Sequence, residues 1–193
     1  NRSYEYRPDG KRITICTVEE EYIGEFARGV HTVGVTDIVT DDGSLIWPTS
    51  VALDKTGNVY VADEWLNRIS IFTKDGEWIG KWGSEGSGNG EINKPSGMVF
   101  DADDNMIMVD SQNNRIQKLT KDGEFISSFG TQGSGNGEFN LPWGIDLDAD
   151  GNIYVADWRN DRIQKFTKDG DFLIAIGTPG SEPGELNRPT DVA

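Results

Sequence analysis

Apolar residues fall along this chain in short runs separated by glycine, asparagine and aspartate. The run at 59–62, Val-Tyr-Val-Ala, is apolar throughout, which predicts a strand covered on both faces. The runs at 50–53, 68–73 and 77–82 mix apolar and polar residues and predict three partners for it. Asp54-Lys55-Thr56-Gly57-Asn58 turns the chain between the first two strands, and Lys74-Asp75-Gly76 closes the hairpin between the last two. Both turns carry residues that tolerate positive φ. No stretch has helical periodicity. The unit is four short strands, here called a, b, c and d.

The unit recurs. Pro48, Pro95, Pro142 and Pro189 stand 47 residues apart, and the columns between them match. Asp54, Asp101 and Asp148 align, as do Asp63, Asp110 and Asp157, then Arg68, Arg115 and Arg162. Lys-Asp-Gly returns at Lys74, Lys121 and Lys168. Gly-Ser-Gly-Asn-Gly-Glu occupies 86–91 and 133–138 and becomes Gly-Ser-Glu-Pro-Gly-Glu at 180–185. A fixed period of this size marks a repeat architecture.

Four antiparallel strands per unit, with glycine-rich connections between units, describe an all-β β-propeller. Complete blades are expected at 48–94, 95–141 and 142–188. Residues 1–27 align with strands b to d of a further blade: Arg12-Ile13 matches Arg68-Ile69, and Glu21-Tyr22-Ile23-Gly24 matches Glu77-Trp78-Ile79-Gly80. That offset is 56, so the connection at 28–47 is nine residues longer than its counterparts. Residues 189–193 read as a lone closing strand a. One blade is therefore split between the two ends. The ends could join within one chain as four blades, or two chains could exchange them as a homodimer of eight. Alternatively, the chain is a piece of a longer six-bladed protein. Unpaired strand edges favour aggregation, so a partner is expected, and the homodimer is the arrangement carried forward.

Composition narrows the partners. A formal net charge of −15 argues against nucleic acid, whose binding rests on Lys and Arg neutralising phosphates. No apolar run approaches the ~20 residues that span a bilayer, so no membrane partner is expected. Cys16 is the single cysteine, which excludes an internal disulfide and a cysteine-based zinc site. No signal-peptide pattern is visible, and a start at Asn1 fits loss of an upstream segment together with any address it carried.

The repeat also sorts the candidate chemistry. Asp63 with Arg68, Asp110 with Arg115 and Asp157 with Arg162 are spaced to bridge each b–c loop, with Arg clasping the carboxylate by two parallel bonds. Recurrence in every blade makes them a structural bracket. Asp148, Asp150 and Asn152 resemble the start of a calcium loop, as do Asp101, Asp103 and Asn105. The glutamate required at the twelfth position is replaced by Arg159 and Gln112, so both read as a–b turns. The glycine runs are followed by Pro and a strand, not a helix, and read as blade linkers rather than phosphate loops. His31, the single histidine, reads as an exposed residue of the long connection. Trp78, Phe125, Phe172, Trp82 and Phe129 recur at matching positions and read as inter-blade packing.

The columns that vary are where binding is expected. The b–c loops read Glu64-Trp65-Leu66, Ser111-Gln112-Asn113 and Trp158-Arg159-Asn160, and the position after each Pro reads Thr49, Ser96, Trp143 and Thr190. In a propeller the b–c and d–a loops ring the channel mouth. Trp65, Trp143, Trp158 and Arg159 would gather there, beside Thr49, Ser96 and Thr190, as a site for a small molecule, sugar or peptide.

Asn67-Arg68-Ile69, Asn114-Arg115-Ile116-Gln117 and Asp161-Arg162-Ile163-Gln164, each after a strand ending in aspartate, resemble the NHL-repeat β-propeller family. So do Val-Ala-Asp at 61–63 and 155–157 and the glycine-rich crossover with Pro. The resemblance implies the fold. It does not single out an activity, because it spans lyases, RNA-binding proteins, kinase sensor domains and lactonase-like hydrolases. The reading carried forward is a non-catalytic binding or interaction module with no catalytic residue and no cofactor. The alternative is a lactonase-like or related hydrolase with a metal, calcium as the resemblance implies, in the central channel. Asp146 is the single non-repeated acid that strand a offers for it.

Overall fold

Val59–Asp63, the uninterrupted apolar run, is a strand in which every residue is buried. Its antiparallel neighbours are Pro48–Leu53 and Arg68–Phe72, and Trp78–Trp82 completes the sheet. The computed structural model describes residues 43–193 in full, and the backbone alone of 2–7, 12–17 and 22–26. In chain order the strands are β1 (Arg2–Arg7), β2 (Arg12–Thr17), β3 (Tyr22–Phe26), β4 (Pro48–Leu53), β5 (Val59–Asp63), β6 (Arg68–Phe72) and β7 (Trp78–Trp82). They continue with β8 (Pro95–Phe100), β9 (Asn105–Asp110), β10 (Arg115–Thr120), β11 (Phe125–Phe129), and the short β12 (Thr131–Gln132) and β13 (Glu138–Phe139). The last are β14 (Pro142–Leu147), β15 (Ile153–Asp157), β16 (Arg162–Phe166), β17 (Phe172–Ile176), and the short β18 (Thr178–Pro179) and β19 (Glu185–Leu186). Sheets β4-β5-β6-β7, β8-β9-β10-β11 and β14-β15-β16-β17 are the three complete blades, called blades 2, 3 and 4, and β1-β2-β3 is a three-stranded blade 1. The protein is a β-propeller built from four-stranded antiparallel sheets. Strands a of successive blades, β4, β8 and β14, lie against one another, which puts them innermost.

Each blade is sealed to the next by apolar side chains. Tyr60, Ala62 and Ile69 of blade 2 pack on Met98, Met106, Met108 and Leu119 of blade 3, with Ile92 of the linker between them. Ile107, Val109 and Ile116 of blade 3 meet Ile145, Ile153, Val155 and Phe166 of blade 4 around Phe139 of the next linker. Strand d adds a second seal. The Trp82 ring lies where a side chain on Gly123 would be, 2.7 Å from a Cβ there, and its Nε1 donates to Lys121 O at 3.0 Å. Phe129 covers Gly170 in the same way.

The linkers are built loops. In the first, Glu91 turns back to accept from the Gly88 N–H at 2.8 Å, and Glu138 accepts from Gly135 likewise. A Cβ on Gly86 would sit 2.1 Å from the Glu91 carboxylate, so a side chain there would displace Glu91 from this turn.

The aspartate–arginine bracket differs from the expected parallel pair of bonds. In blade 3 only Nε of Arg115 reaches Asp110 Oδ2, at 2.7 Å. Its Nη2 donates instead to Gly88 O and Glu91 O of the preceding linker. Gln117 spans the same gap, donating to Glu91 O and Asp110 Oδ2. Asn113 donates to Gly86 O and to Asp110 Oδ2. Asp110 Oδ1 takes the Asn93 N–H at 2.7 Å. Blade 4 repeats the arrangement with Arg162, Gln164, Asn160 and Asp157. The guanidinium has more donors than one carboxylate can use, and the linker carbonyls need partners. Blade 2 departs from the pattern. Among the described residues Asp63 and Arg68 form no ion pair. Arg68 Nη2 donates to Ser44 O, while Arg68 Nε and the Ser70 hydroxyl are buried without a partner among the described residues. Ser70 stands where the other blades have Gln.

The a–b turns are closed by their own aspartates. Asp148 Oδ1 accepts from the Asp150 and Asn152 N–H groups, and Asp101 and Asp54 do the same in their turns. Lys165 and Lys118 pair with Asp148 and Asp101 at 2.9 and 2.7 Å. Hydrogen bonds from Asn152 and Lys165 hold the Asp148 carboxyl well below the usual range.

Blade 4 leaves one face open. Tyr154 and Ile163 correspond to Tyr60 and Ile69 of blade 2 and to Ile107 and Ile116 of blade 3, which are buried against the next blade, and here they line an open cleft of about 460 Å³ with Leu147 and Ile176. Ile176, in the column of Trp82 and Phe129, is 46% exposed. Residues 189–193 follow the path of a next strand a. Gly144 abuts Thr190 O and Asp191 as Gly97 abuts Trp143 O and Gly144. Among the described residues they pair with no strand, and β1 pairs with β2. His31 lies outside the described residues.

Removing Arg115 leaves the buried Asp110 carboxylate without its cation. Arg115→Ala is expected to lower stability by about 3–5 kcal/mol in urea titrations, since such a deletion strands a buried charge. An unchanged midpoint would remove the bracket from the fold's supports. A second outcome follows from Tyr60. Burial first, then the charges of Asp54, Asp122 and Asp104, push its hydroxyl from 10.0 up to about 12. The folded state thus holds the proton more tightly, so this contribution is complete below about pH 10 and is lost between about pH 10 and 12. Tyr60→Phe should show a flatter alkaline decline in unfolding free energy than the wild type. Parallel declines would contradict it.

Candidate ligand-binding face

The b–c loops rise from the ends of strands that close on a buried aspartate. In blades 3 and 4 each loop is one 3₁₀ turn, Ser111–Asn113 and Trp158–Asn160, ended by a left-handed residue, Asn114 or Asp161. Asn67 holds the same position in blade 2, at φ 48°. Asn and Asp tolerate this region best among residues with a Cβ. Their side-chain oxygens accept the N–H groups of Lys94, Leu141 and Arg188 at 2.7–2.8 Å. These three also have positive φ. Strain repeated in every blade belongs to the architecture. It brings the residue before each Pro beside the preceding b–c loop: Lys94 lies 3.4 Å from Glu64, and the Arg188 guanidinium lies 5.3 Å from the Trp158 ring centroid.

The expected site residues divide among three places. Trp65, 61% exposed, lines a cleft of about 330 Å³ with Trp47, Glu64, Asn67, Glu85, Asn93 and Lys94. Trp158 is half-buried under two cations, Arg159 and Arg188, each 5.3 Å from its centroid. Trp143, Thr49 and Thr190 line a third cleft, of about 270 Å³, along strands a. The four expected aromatic and cationic residues therefore do not share one pocket. Trp143 sits on an inner strand, whereas Trp65, Trp158 and Arg159 ride on loops of different blades.

The column after each Pro also has structural work. Thr49 Oγ1 donates to Pro95 O and Ser96 Oγ to Trp143 O, both at 2.8 Å, tying each strand a to the next. Ser96 is 2% exposed, so its hydroxyl is committed to the framework and does not face the mouth. Asp146 accepts the neighbouring Leu147 N–H and lines the open face of blade 4.

Trp47 and Arg188 lie beside the expected residues Trp65 and Trp158, and sequence reasoning did not include them. A signal was present: the column before each Pro reads Trp47, Lys94, Leu141 and Arg188, as variable as the b–c loops. Among the described residues, no group of three or more His, Cys, Asp or Glu side chains is placed to hold a metal.

A family model described as 6-bladed beta-propeller matches residues 9–120, and a model of the NHL repeat matches residues 139–166. Human NHL repeat-containing protein 3 is 56% identical over 36 residues, 18% of this chain and 10% of that protein. Among solved structures, a streptogramin B lyase superposes with a TM-score of 0.64 at 16% identity, covering 93% of this chain and 52% of the lyase. Virginiamycin B lyase from Staphylococcus aureus gives 0.62 at 17%, covering 94% and 53%. A protein of unknown function from Bacteroides thetaiotaomicron gives 0.61 at 21%, covering 99% and 61%. At these identities the likeness is one of fold, and the chain spans roughly half to three-fifths of each structure's length.

Proposed function

The chain belongs to the 6-bladed beta-propeller family, and from that premise we propose that it is a non-catalytic binding module. Its ligand, a small molecule, sugar or peptide, is taken on the face of the b–c loops. One observation carries the reading. Trp82 and Phe129 pack on hairpin glycines of the next blade, whereas Trp47 and Trp65 are 55% and 61% exposed and line one cleft. Large apolar groups clustered at the surface mark interaction sites. The repeated acids and arginines are already committed to brackets and turns, so few are left for catalysis.

Assembly is a second element of the proposal. It is supported by the open face of blade 4, beside which residues 189–193 run, and by β1–β3, a sheet of three described strands. A second copy would supply the missing strands.

Screening neutral, anionic and cationic metabolites, glycans and peptides by thermal shift should give a ligand whose stabilisation is lost in Trp65→Ala. Turnover of the bound compound, abolished by a metal chelator, would put the lactonase-like reading in its place. Light scattering should give twice the chain mass, reverting to the single mass in Ile176→Asp. A wild-type monomer would remove the exchanged dimer.

A further inference from the structure

We infer that Arg159 and Arg188, both lying over the Trp158 ring, form a site for a compact oxyanion, a ligand offering one or two carboxylate or phosphate groups. The site rests on the binding-module reading and names a subsite of that face and the charge of its ligand.

The inference begins with where the described arginines direct their donors. Arg115 and Arg162 each bond a buried aspartate and two linker carbonyls. Arg68 is buried and donates to Ser44 O. Arg159 and Arg188, by contrast, are exposed. Among the described residues neither guanidinium pairs with a carboxylate or donates a hydrogen bond; the contact each makes is with Trp158. The chain has 33 acidic residues against 18 lysines and arginines. Two neighbouring guanidiniums with no carboxylate partner run against that composition.

The ring itself holds the two cations. Each guanidinium carbon lies 5.3 Å from the Trp158 centroid, so they stand no farther apart than twice that distance. Cations and indoles attract at separations up to ~6 Å. The backbones are tied as well. The Arg159 N–H donates to Asn140 O at 3.1 Å, and the Arg188 N–H donates to Asp161 Oδ1 at 2.7 Å.

The other complete blades lack this arrangement. The Trp158 column reads Glu64 and Ser111 in blades 2 and 3, the Arg159 column Trp65 and Gln112, and the Arg188 column Lys94 and Leu141. In blade 2 the cation is neutralised within the chain, since Lys94 pairs with Glu64 at 3.4 Å. In blade 4 an indole stands in place of that glutamate. An indole orients a guanidinium without neutralising it, which leaves the N–H forks open to an outside acceptor. Those planar forks match the paired oxygens of a carboxylate or phosphate. The rest of the chain limits the charge such a ligand can carry. A net charge of −15 repels a polyanion, and the Asp161 carboxylate stands beside Arg188. A ligand with one or two negative charges fits, and a nucleic acid does not.

Calorimetric titration of the full chain with succinate, inorganic phosphate, glucose 6-phosphate and a short peptide ending in two glutamates, at low salt, tests this. Binding of at least one is expected, and which one binds distinguishes free anions from a peptide source. It should weaken tenfold or more in Arg159→Ala and in Arg188→Ala. Arg159→Lys, which keeps the charge and loses the fork, should restore only part of it, and Trp158→Ala should weaken it too. Lys168→Ala removes the same charge from the turn after strand c of blade 4 and should bind as the wild type does. Equal weakening by Lys168→Ala would mean general charge attraction and overturn the site. Failure of every anion on a folded chain would also overturn it, while the Trp65-dependent thermal-shift screen decides the binding module separately. Loss of mass in light scattering for the Arg159→Ala, Arg188→Ala double variant, without anion binding by the wild type, would make the pair a contact between copies and overturn the ligand site.

Discussion

A buried aspartate at the end of each strand b organises the rest of this propeller. Asp63, Asp110 and Asp157 are fully buried, and a carboxylate in that position is tolerable only when its acceptor sites are filled. The partners that fill them come from elements distant in sequence. In blades 3 and 4 they include the strand c arginine and glutamine, the b–c loop asparagine and the linker amide. One carboxylate thereby fixes a strand, a loop and an inter-blade connection at a single point. The loop face is a consequence: where each b–c loop sits depends on what its aspartate holds.

Packing between blades supplies the complementary constraint. Ile92 and Phe139 enter from the linkers, and Trp82 and Phe129 lie on hairpin glycines of the next blade. A blade has two apolar faces and can bury neither alone, so each completes its neighbour. The same logic makes the outer face of blade 4 conspicuous. Its column residues are those of an inner blade, and their exposure expresses the same pattern without its partner.

The departure of blade 2 shows how one copy of a repeat can hold a different loop arrangement on the same carboxylate. Replacing the clamp glutamine by Ser70 and the glycine-rich linker by a different connection frees Asp63 to bind backbone N–H groups. The framework keeps its carboxylate, and the loops around it change what they present. The residues that recur hold the framework, and the columns that differ vary what the loops present.

The sequence alone determined the strands, the turns and the blade period, because these follow from local chemistry. Alternation sets the strand faces, Gly and Asn permit the turns, and a 47-residue recurrence leaves little freedom in register. It also marked Trp65 as a surface residue outside the repeat. Only the tertiary structure decided which side chains share a place. Trp65 shares a cleft with Trp47 rather than with Trp143 or Trp158, because strands a lie innermost while each b–c loop belongs to its own blade. Ser96 turned out to be framework, since its hydroxyl finds a carbonyl 47 residues away. The arginine of the bracket bonds its aspartate once and the linker twice, a choice set by carbonyls that spacing along the chain does not reveal. Contacts between blades depend on how strands twist and stack, and that geometry exists only when the sheets are assembled.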